Sequence, residues 1–188
     1  MRKLLAAVQL LAVFAIVPPA NAQEETPKLD IYGGYYYVRF SISAKVEGFP
    51  PTATFNGNGG GGRLEYNANG WLGIVGDLAG YYVPAPGSDQ EAFTYLFGPR
   101  VNLRRGSLTP FAQVLLGGIL ASGGIGQTGP VDHYAMTAGG GLDYKLSRLI
   151  AIRLVQAEYF MTKFPDGLDN RQNNFRFGTG IVFRFGRT

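Results

Sequence analysis

Few residues in this chain of 188 are equipped for covalent or metal chemistry. There is no cysteine, so thiol nucleophiles, thiolate metal sites and disulfide frameworks are excluded. His133 is the only histidine. A base-activated nucleophile needs a hydroxyl within hydrogen-bond reach of that imidazole. The next residue on its face of an extended segment is Ala135, and Ser122 could approach only through a loop. The run Gly57 to Gly62 lacks the lysine and the Ser/Thr of a phosphate loop and reads as a mobile surface loop. Asp166, Asp169 and Asn170 offer oxygen ligands, but their spacing fits no calcium-loop pattern and reads as a polar, solvated loop. No catalytic residue, cofactor or metal ligand is therefore expected. What remains is opposite charge: Arg63, Glu65, Asp77, Arg100, Asp143 and Arg153, with a second set of Arg39, Glu158 and Arg176.

The elements that must position these charges are extended. Eight aromatic-rich segments alternate apolar and polar residues, and the gaps between them run long, short, long, short, long, short, long. The first covers about Leu29 to Ile42; Tyr32, Tyr36, Val38, Phe40 and Ile42 are read as its outward face, and Gly33, Tyr35, Tyr37, Arg39 and Ser41 as its inward one. The second ends near Ala68, and Asn69-Gly70 then predicts a type I′ hairpin, whose two central residues need positive φ. The third runs from Trp71 to Val83, the fourth from about Phe93 to Arg104, and the fifth from about Leu108 to Ala121. The sixth carries Tyr134 to Lys145, the seventh starts near Leu149, and the eighth carries Phe175 to Phe185. Pro99 and Pro110 each lack an N–H, which a ladder tolerates only at a bulge or strand end.

The predicted architecture is all-β: an eight-stranded antiparallel transmembrane barrel of up-and-down topology. A soluble barrel reverses the polarity, apolar inside and polar outside. Arg2 and Lys3, the apolar run Leu4 to Val17, and Ala20-Asn21-Ala22 predict a signal peptide over residues 1–22, cleaved before Gln23. The run is shorter than the roughly 20 residues of a spanning helix. Residues 23–188 then form one barrel domain. The net charge of +4 falls to about +2 without Arg2 and Lys3, and the basic residues are dispersed, so nucleic acid is not an expected partner.

An even strand number puts both termini on the short-turn side, the periplasm. Tyr66, Trp71, Tyr144, Phe183 and Phe185 are expected in the periplasmic aromatic girdle. Phe40, Tyr82, Phe93, Tyr134, Phe160 and Phe175 are expected in the outer one. Counted from the periplasmic ends, Arg63, Glu65, Asp77, Arg100, Gln113, Asp143 and Arg153 sit at similar depth. Buried charges must pair, so a charge-balanced network plugging the mid-lumen is predicted. In strand 7, Arg153 facing in puts Glu158 toward lipid. A β-bulge near Val155 would turn Glu158 inward, near the level of Arg39 and Arg176 in the upper lumen.

Gly140-Gly141-Leu142-Asp143-Tyr144, a short turn, Ile150-Ala151-Ile152-Arg153, and the closing Gly180-Ile181-Val182-Phe183-Arg184-Phe185 resemble the transmembrane domain of the outer membrane protein A family and its small barrel relatives. The resemblance covers essentially the whole mature chain. It implies an outer-membrane barrel whose lumen acid and arginine match Asp143 and Arg153, and a last strand, ending in Phe185, read by the barrel assembly machinery. Gly186-Arg187-Thr188 follow that aromatic residue, a departure from the simplest form. The chain stops there, so the peptidoglycan-binding domain of longer members is not expected.

Function is expected to be structural: a non-enzymatic barrel of the Gram-negative cell envelope, surrounded by outer-membrane lipids and lipopolysaccharide, with a narrow or gated passage. Three alternatives stand beside it. One is an enzyme modifying lipid A through His133. Another is a small-solute channel, which would need an apolar outer lumen; Arg39 and Arg176 argue against that. The third is an adhesin using its outer loops, whose external partner the sequence does not name.

Overall fold

The computed structural model describes residues 26–42, 53–84, 90–122, 131–164 and 171–186. The expected signal peptide and Asp166, Asp169 and Asn170 lie outside them, as does the side chain of Ser122. Eight strands follow one another: β1 Leu29–Ile42, β2 Ala53–Asn67, β3 Leu72–Val83, β4 Gln90–Asn102, β5 Leu108–Ser122, β6 Val131–Lys145, β7 Ile150–Thr162 and β8 Gln172–Phe185. Each pairs antiparallel with the next. β1 then pairs with β8, from Leu29↔Phe185 to Arg39↔Phe175, and closes the barrel. Pro99 sits within β4, where the ladder to β5 is interrupted between Phe97↔Leu116 and Arg100↔Gln113. Pro110 lies within β5 opposite Leu142.

The short turns use three local devices. Between β4 and β5, Arg105 and Leu108 exchange backbone hydrogen bonds of 2.9 and 3.1 Å, and Gly106 takes φ 59 as the first central residue. That is the conformation a primed hairpin turn demands. Between β6 and β7, Ser147 Oγ accepts from the N–H groups of Leu149 and Ile150 at 3.2 and 3.1 Å. Between β2 and β3 the expected type I′ turn is not formed. Gly70 is not at positive φ. Asn69 Oδ1 instead accepts from the N–H groups of Trp71 and Leu72 at 3.0 and 2.8 Å. The asparagine side chain replaces a backbone acceptor and removes the need for positive φ.

Side chains alternate as expected in most strands. Leu78, Phe97, Leu116 and Phe177 point outward and are about half exposed, whereas Asp77, Arg100, Gln113 and Arg176 are buried in the lumen. β1 departs from the expectation. Tyr32, Tyr36, Val38 and Phe40 fill the lumen, while Tyr35 faces out, as does Arg39. The expected outer-girdle role of Phe40 and the upper-lumen role of Arg39 are thereby corrected.

The glycine run explains the inversion. Gly57 to Gly62 is not a loop but the middle of β2. Its inward positions carry no side chain, and β1 fills the space from next door. A Cβ on Gly61 would lie 2.7 Å from Tyr36 Cε2, one on Gly57 3.1 Å from Phe40 Cε2, and one on Gly178 of β8 2.7 Å from Tyr36 Cε1. Asp30 shares the parity of Tyr32 and Tyr36, and a carboxylate at that position cannot face lipid.

The predicted bulge is present. The register of β7 shifts between Arg153 and Gln156 against β8. Leu154 and Val155 are both outward, at 50% and 48% exposure, and the next inward residues are Gln156, Glu158 and Phe160. The same shift removes Phe160 from the expected outer girdle; it is fully buried.

The close approach of β2 to Tyr36 gives a direct test. A Cβ at Gly61 would also meet Leu78 O at 2.6 Å, so the backbone must move. Gly61→Ala is expected to destabilise the barrel by about 1–3 kcal/mol, read as a lower urea midpoint by electrophoretic mobility. Gly76→Ala, whose Cβ would meet nothing within 4 Å, is expected to change it little.

Candidate functional site

The mid-lumen is a layer of charge assembled from all eight strands. Arg63 of β2 donates to Asp77 of β3 through Nη2 at 2.7 Å and Nε at 3.0 Å. Arg176 of β8 reaches the other oxygen of Asp77 through Nη1 at 2.8 Å and donates to Glu158 of β7 through Nε at 2.6 Å. Arg153 grips Asp143 of β6 with two bonds, 2.8 and 3.1 Å. Arg100 of β4 donates to Asp143 at 2.9 Å and lies 3.2 Å from Glu65.

Neutral side chains link these pairs. Gln113 of β5 accepts from Arg63 at 3.1 Å and donates to Glu158 at 2.6 Å. Gln156 accepts from Arg63 and Arg153 at 3.1 and 2.8 Å and donates to Glu158 at 2.7 Å. Asn102 donates to Glu65 at 2.6 Å. β1 contributes Tyr36, whose hydroxyl donates to Asp77 at 3.0 Å.

Each guanidinium also covers an aromatic face. Arg100 lies 3.5 Å from the centre of the Phe111 ring, Arg153 4.4 Å from Tyr32, and Arg176 4.7 Å from Tyr36. Such stacking suits arginine, whose planar and weakly hydrated cation tolerates loss of water better than an ammonium does. Four arginines thus meet four carboxylates, all nearly inaccessible to solvent.

The structure joins all six members of the predicted lumen set: Arg63, Glu65, Asp77, Arg100, Asp143 and Arg153. It draws Glu158 and Arg176 into the same layer rather than a separate upper one. Arg39 is on the opposite face. Sequence reasoning missed Gln156 and Asn102 as connectors and Tyr32, Tyr36 and Phe111 as stacking partners. The signal for Tyr32 and Tyr36 was their shared parity with Asp30.

Above this layer, toward the long connections, an apolar cluster fills the lumen, and the outermost inward side chains Thr162, Gln172 and Asn174 are buried and hydrogen-bonded to one another. Val38, Phe40, Tyr81, Leu96, Leu115, Ile119 and Phe160 form one buried cluster. Phe40 meets Phe160 at 6.1 Å and Tyr81 at 6.4 Å between ring centres. At the rim the ring of His133 packs on Phe164, 4.5 Å between centres. The residue opposite His133 on β5 is Ile119.

Among the described residues, Asp77 is the acid that bridges Arg63 and Arg176. Asp77→Leu is expected to cost about 3–5 kcal/mol of unfolding free energy, because two buried cations lose their shared partner. The double variant Asp77→Leu, Arg63→Met should recover part of that loss. Urea titrations in detergent micelles compare the two.

Neither a protein-family model nor a curated protein sequence matches this chain. Its backbone does match solved structures. Neisserial surface protein A superposes with a TM-score of 0.63 over 83% of this chain and 97% of that one, at 12% identity. Ail, the attachment invasion locus protein of Yersinia pestis, superposes at 0.54 over 85% and 99%, at 19% identity. Ail in complex with the heparin analogue sucrose octasulfate gives 0.55 over the same shares. With its eight strands closed in sequence order, its apolar exterior and its charged interior, the chain has the fold of the small outer-membrane β-barrels.

Proposed function

We propose that this chain is an integral outer-membrane barrel that does no covalent chemistry and supports envelope integrity, with a lumen closed by a charge gate. The exterior supports residence in lipid. Leu64, Ile74, Leu78, Phe97, Leu116 and Ile181 stand about half exposed around the wall. Trp71, Tyr66, Tyr144, Phe183 and Phe185 ring the short-turn end, and Tyr82, Phe93, Tyr134 and Phe175 the other. An apolar band between aromatic girdles is what a lipid bilayer solvates and water does not.

On this reading both termini are periplasmic, lipid and lipopolysaccharide surround the wall, and the barrel assembly machinery reads the last strand. An external partner would be met by the long connections.

The observation that carries the gate is the neutral, cross-linked layer spanning the lumen. Planar-bilayer conductance of refolded protein tests it, beside the double variant Glu65→Ala, Arg153→Ala. That variant removes one charge of each sign and leaves Arg100 paired with Asp143. The expected result is little or no conductance for the parent and larger unitary steps for the variant. Silence from both would mean a sealed barrel and would overturn the gate.

A second reading, a small-solute channel, is favoured by the apolar cluster of the outer lumen, which lies beneath the polar Thr162, Gln172 and Asn174. Arg39 faces outward and Arg176 is engaged in the charge layer, so neither blocks a small hydrophobic solute from above. Under that reading, Phe160→Ala opens space and strengthens binding of a fluorescent apolar probe, measured against Phe177→Ala on the outer wall.

A further inference from the structure

The chain carries three Asn-Gly pairs: Asn56-Gly57, Asn58-Gly59 and Asn69-Gly70. With no Cβ on the following residue, its backbone nitrogen meets little hindrance on the way to the asparagine side-chain carbon. Whether it arrives depends on the backbone between them. The fold treats the three pairs differently.

Asn56 and Asn58 lie inside β2, opposite Arg39 and Tyr37 of β1. A ladder fixes ψ near its extended value, which holds the following nitrogen away from Cγ. Their side chains are engaged as well. Asn56 Oδ1 accepts from the Tyr37 hydroxyl at 2.9 Å, and Asn58 Oδ1 accepts from the Tyr35 hydroxyl.

Asn69 and Gly70 stand outside any ladder, in the exposed turn between β2 and β3. Asn69 Oδ1 accepts at 3.0 and 2.8 Å from the N–H groups of Trp71 and Leu72, both beyond Gly70. The side chain is thereby folded forward over the Gly70 peptide. Two N–H donors on one amide oxygen also draw electrons from Cγ. They stand where negative charge gathers when a nucleophile adds to that carbon. Among the described residues, neither the Gly70 N–H nor Asn69 Nδ2 has a hydrogen-bond partner. Water can therefore reach both the nucleophile and the leaving group.

We propose that Asn69 is a site of spontaneous deamidation in the folded barrel. The Gly70 nitrogen gives its proton to solvent and adds to Asn69 Cγ, forming the N–Cγ bond of a five-membered succinimide. The Cγ–Nδ2 bond breaks, and Nδ2 leaves as ammonia, recovering that proton through solvent. Water then opens the imide. Attack at Cγ gives aspartate; attack at the backbone carbonyl carbon gives isoaspartate, with Cβ and Cγ in the main chain. Either product adds one negative charge to the turn. Aspartate keeps a side-chain oxygen for Trp71 and Leu72. Isoaspartate lengthens the turn and gives up that acceptor, so the β2–β3 hairpin loosens.

Ageing refolded protein in micelles at mildly alkaline pH, followed by peptide mass spectrometry, tests the site. Tryptic cleavage after Arg63 puts Asn69 on a different peptide from Asn56 and Asn58. In the folded barrel Asn69 is expected to convert about tenfold faster or more than either of them. The same chain unfolded in guanidinium separates local chemistry from the fold. There the three pairs should convert at similar rates, so folding slows Asn56 and Asn58 and leaves Asn69 at least as fast. Gly70→Ala should suppress conversion. Its Cβ would meet only Thr26 Oγ1 at 3.6 Å, and Gly70 is not at positive φ, so the turn is kept. The proposal is overturned if Asn69 stays intact in the folded barrel, if it converts no faster than Asn56 and Asn58, if unfolding speeds it, or if Gly70→Ala leaves its rate unchanged.

Discussion

Desolvated charge is the constraint on which this barrel depends. The middle of its lumen admits almost no solvent, yet it contains four guanidinium groups and four carboxylates. Each would cost several kcal/mol alone. They persist because every strand contributes a partner: acids and arginines from six strands, Gln113 from β5 and Tyr36 from β1. The glutamines act as two-way connectors, accepting from arginine through the carbonyl and donating to Glu158 through the amide. The layer is therefore both a plug and a cross-brace between walls that are not neighbours in the sheet.

Packing follows from the same economy of space. An eight-stranded barrel has an interior only as wide as its side chains can fill. β2 gives up its inward side chains along the glycine run, and Tyr36 and Phe40 occupy the volume. Their rings carry the stacking beneath Arg176 and the aromatic contacts of the outer half. Polar and apolar cores are thus stacked along one axis rather than separated into domains.

The sequence made the strand count, most strand limits other than the start of β2, and most of the charge layer legible, because period-two alternation forces parity on every residue of a regular strand. Reading β1 by hydrophobicity alone inverted it. Its inward face is as apolar as a lipid-facing one, since it packs against bare backbone, and the glycine run that explains this looked like a loop. Both misreadings have that single cause. The bulge was legible at Glu158, where a charge conflicted with its face. The same inserted residue turns Phe160 inward by parity, and the ladders to both β6 and β8 show the shift. The turn at Asn69-Gly70 differed because a side-chain acceptor substituted for backbone conformation.

Arg176 gives the closed layer a kinetic meaning. It lies on the last strand, holds Glu158 and one oxygen of Asp77, and stacks over Tyr36 of the first strand. A sheet without β8 lacks it, and Glu158 and Asp77 then lack a partner that, among the described residues, each of them uses. The seam between β1 and β8 brings that partner into place. Closing the cylinder is what buries these acids, and Arg176 arrives with the closing strand, so the interior charge is neutralised in the same step that desolvates it.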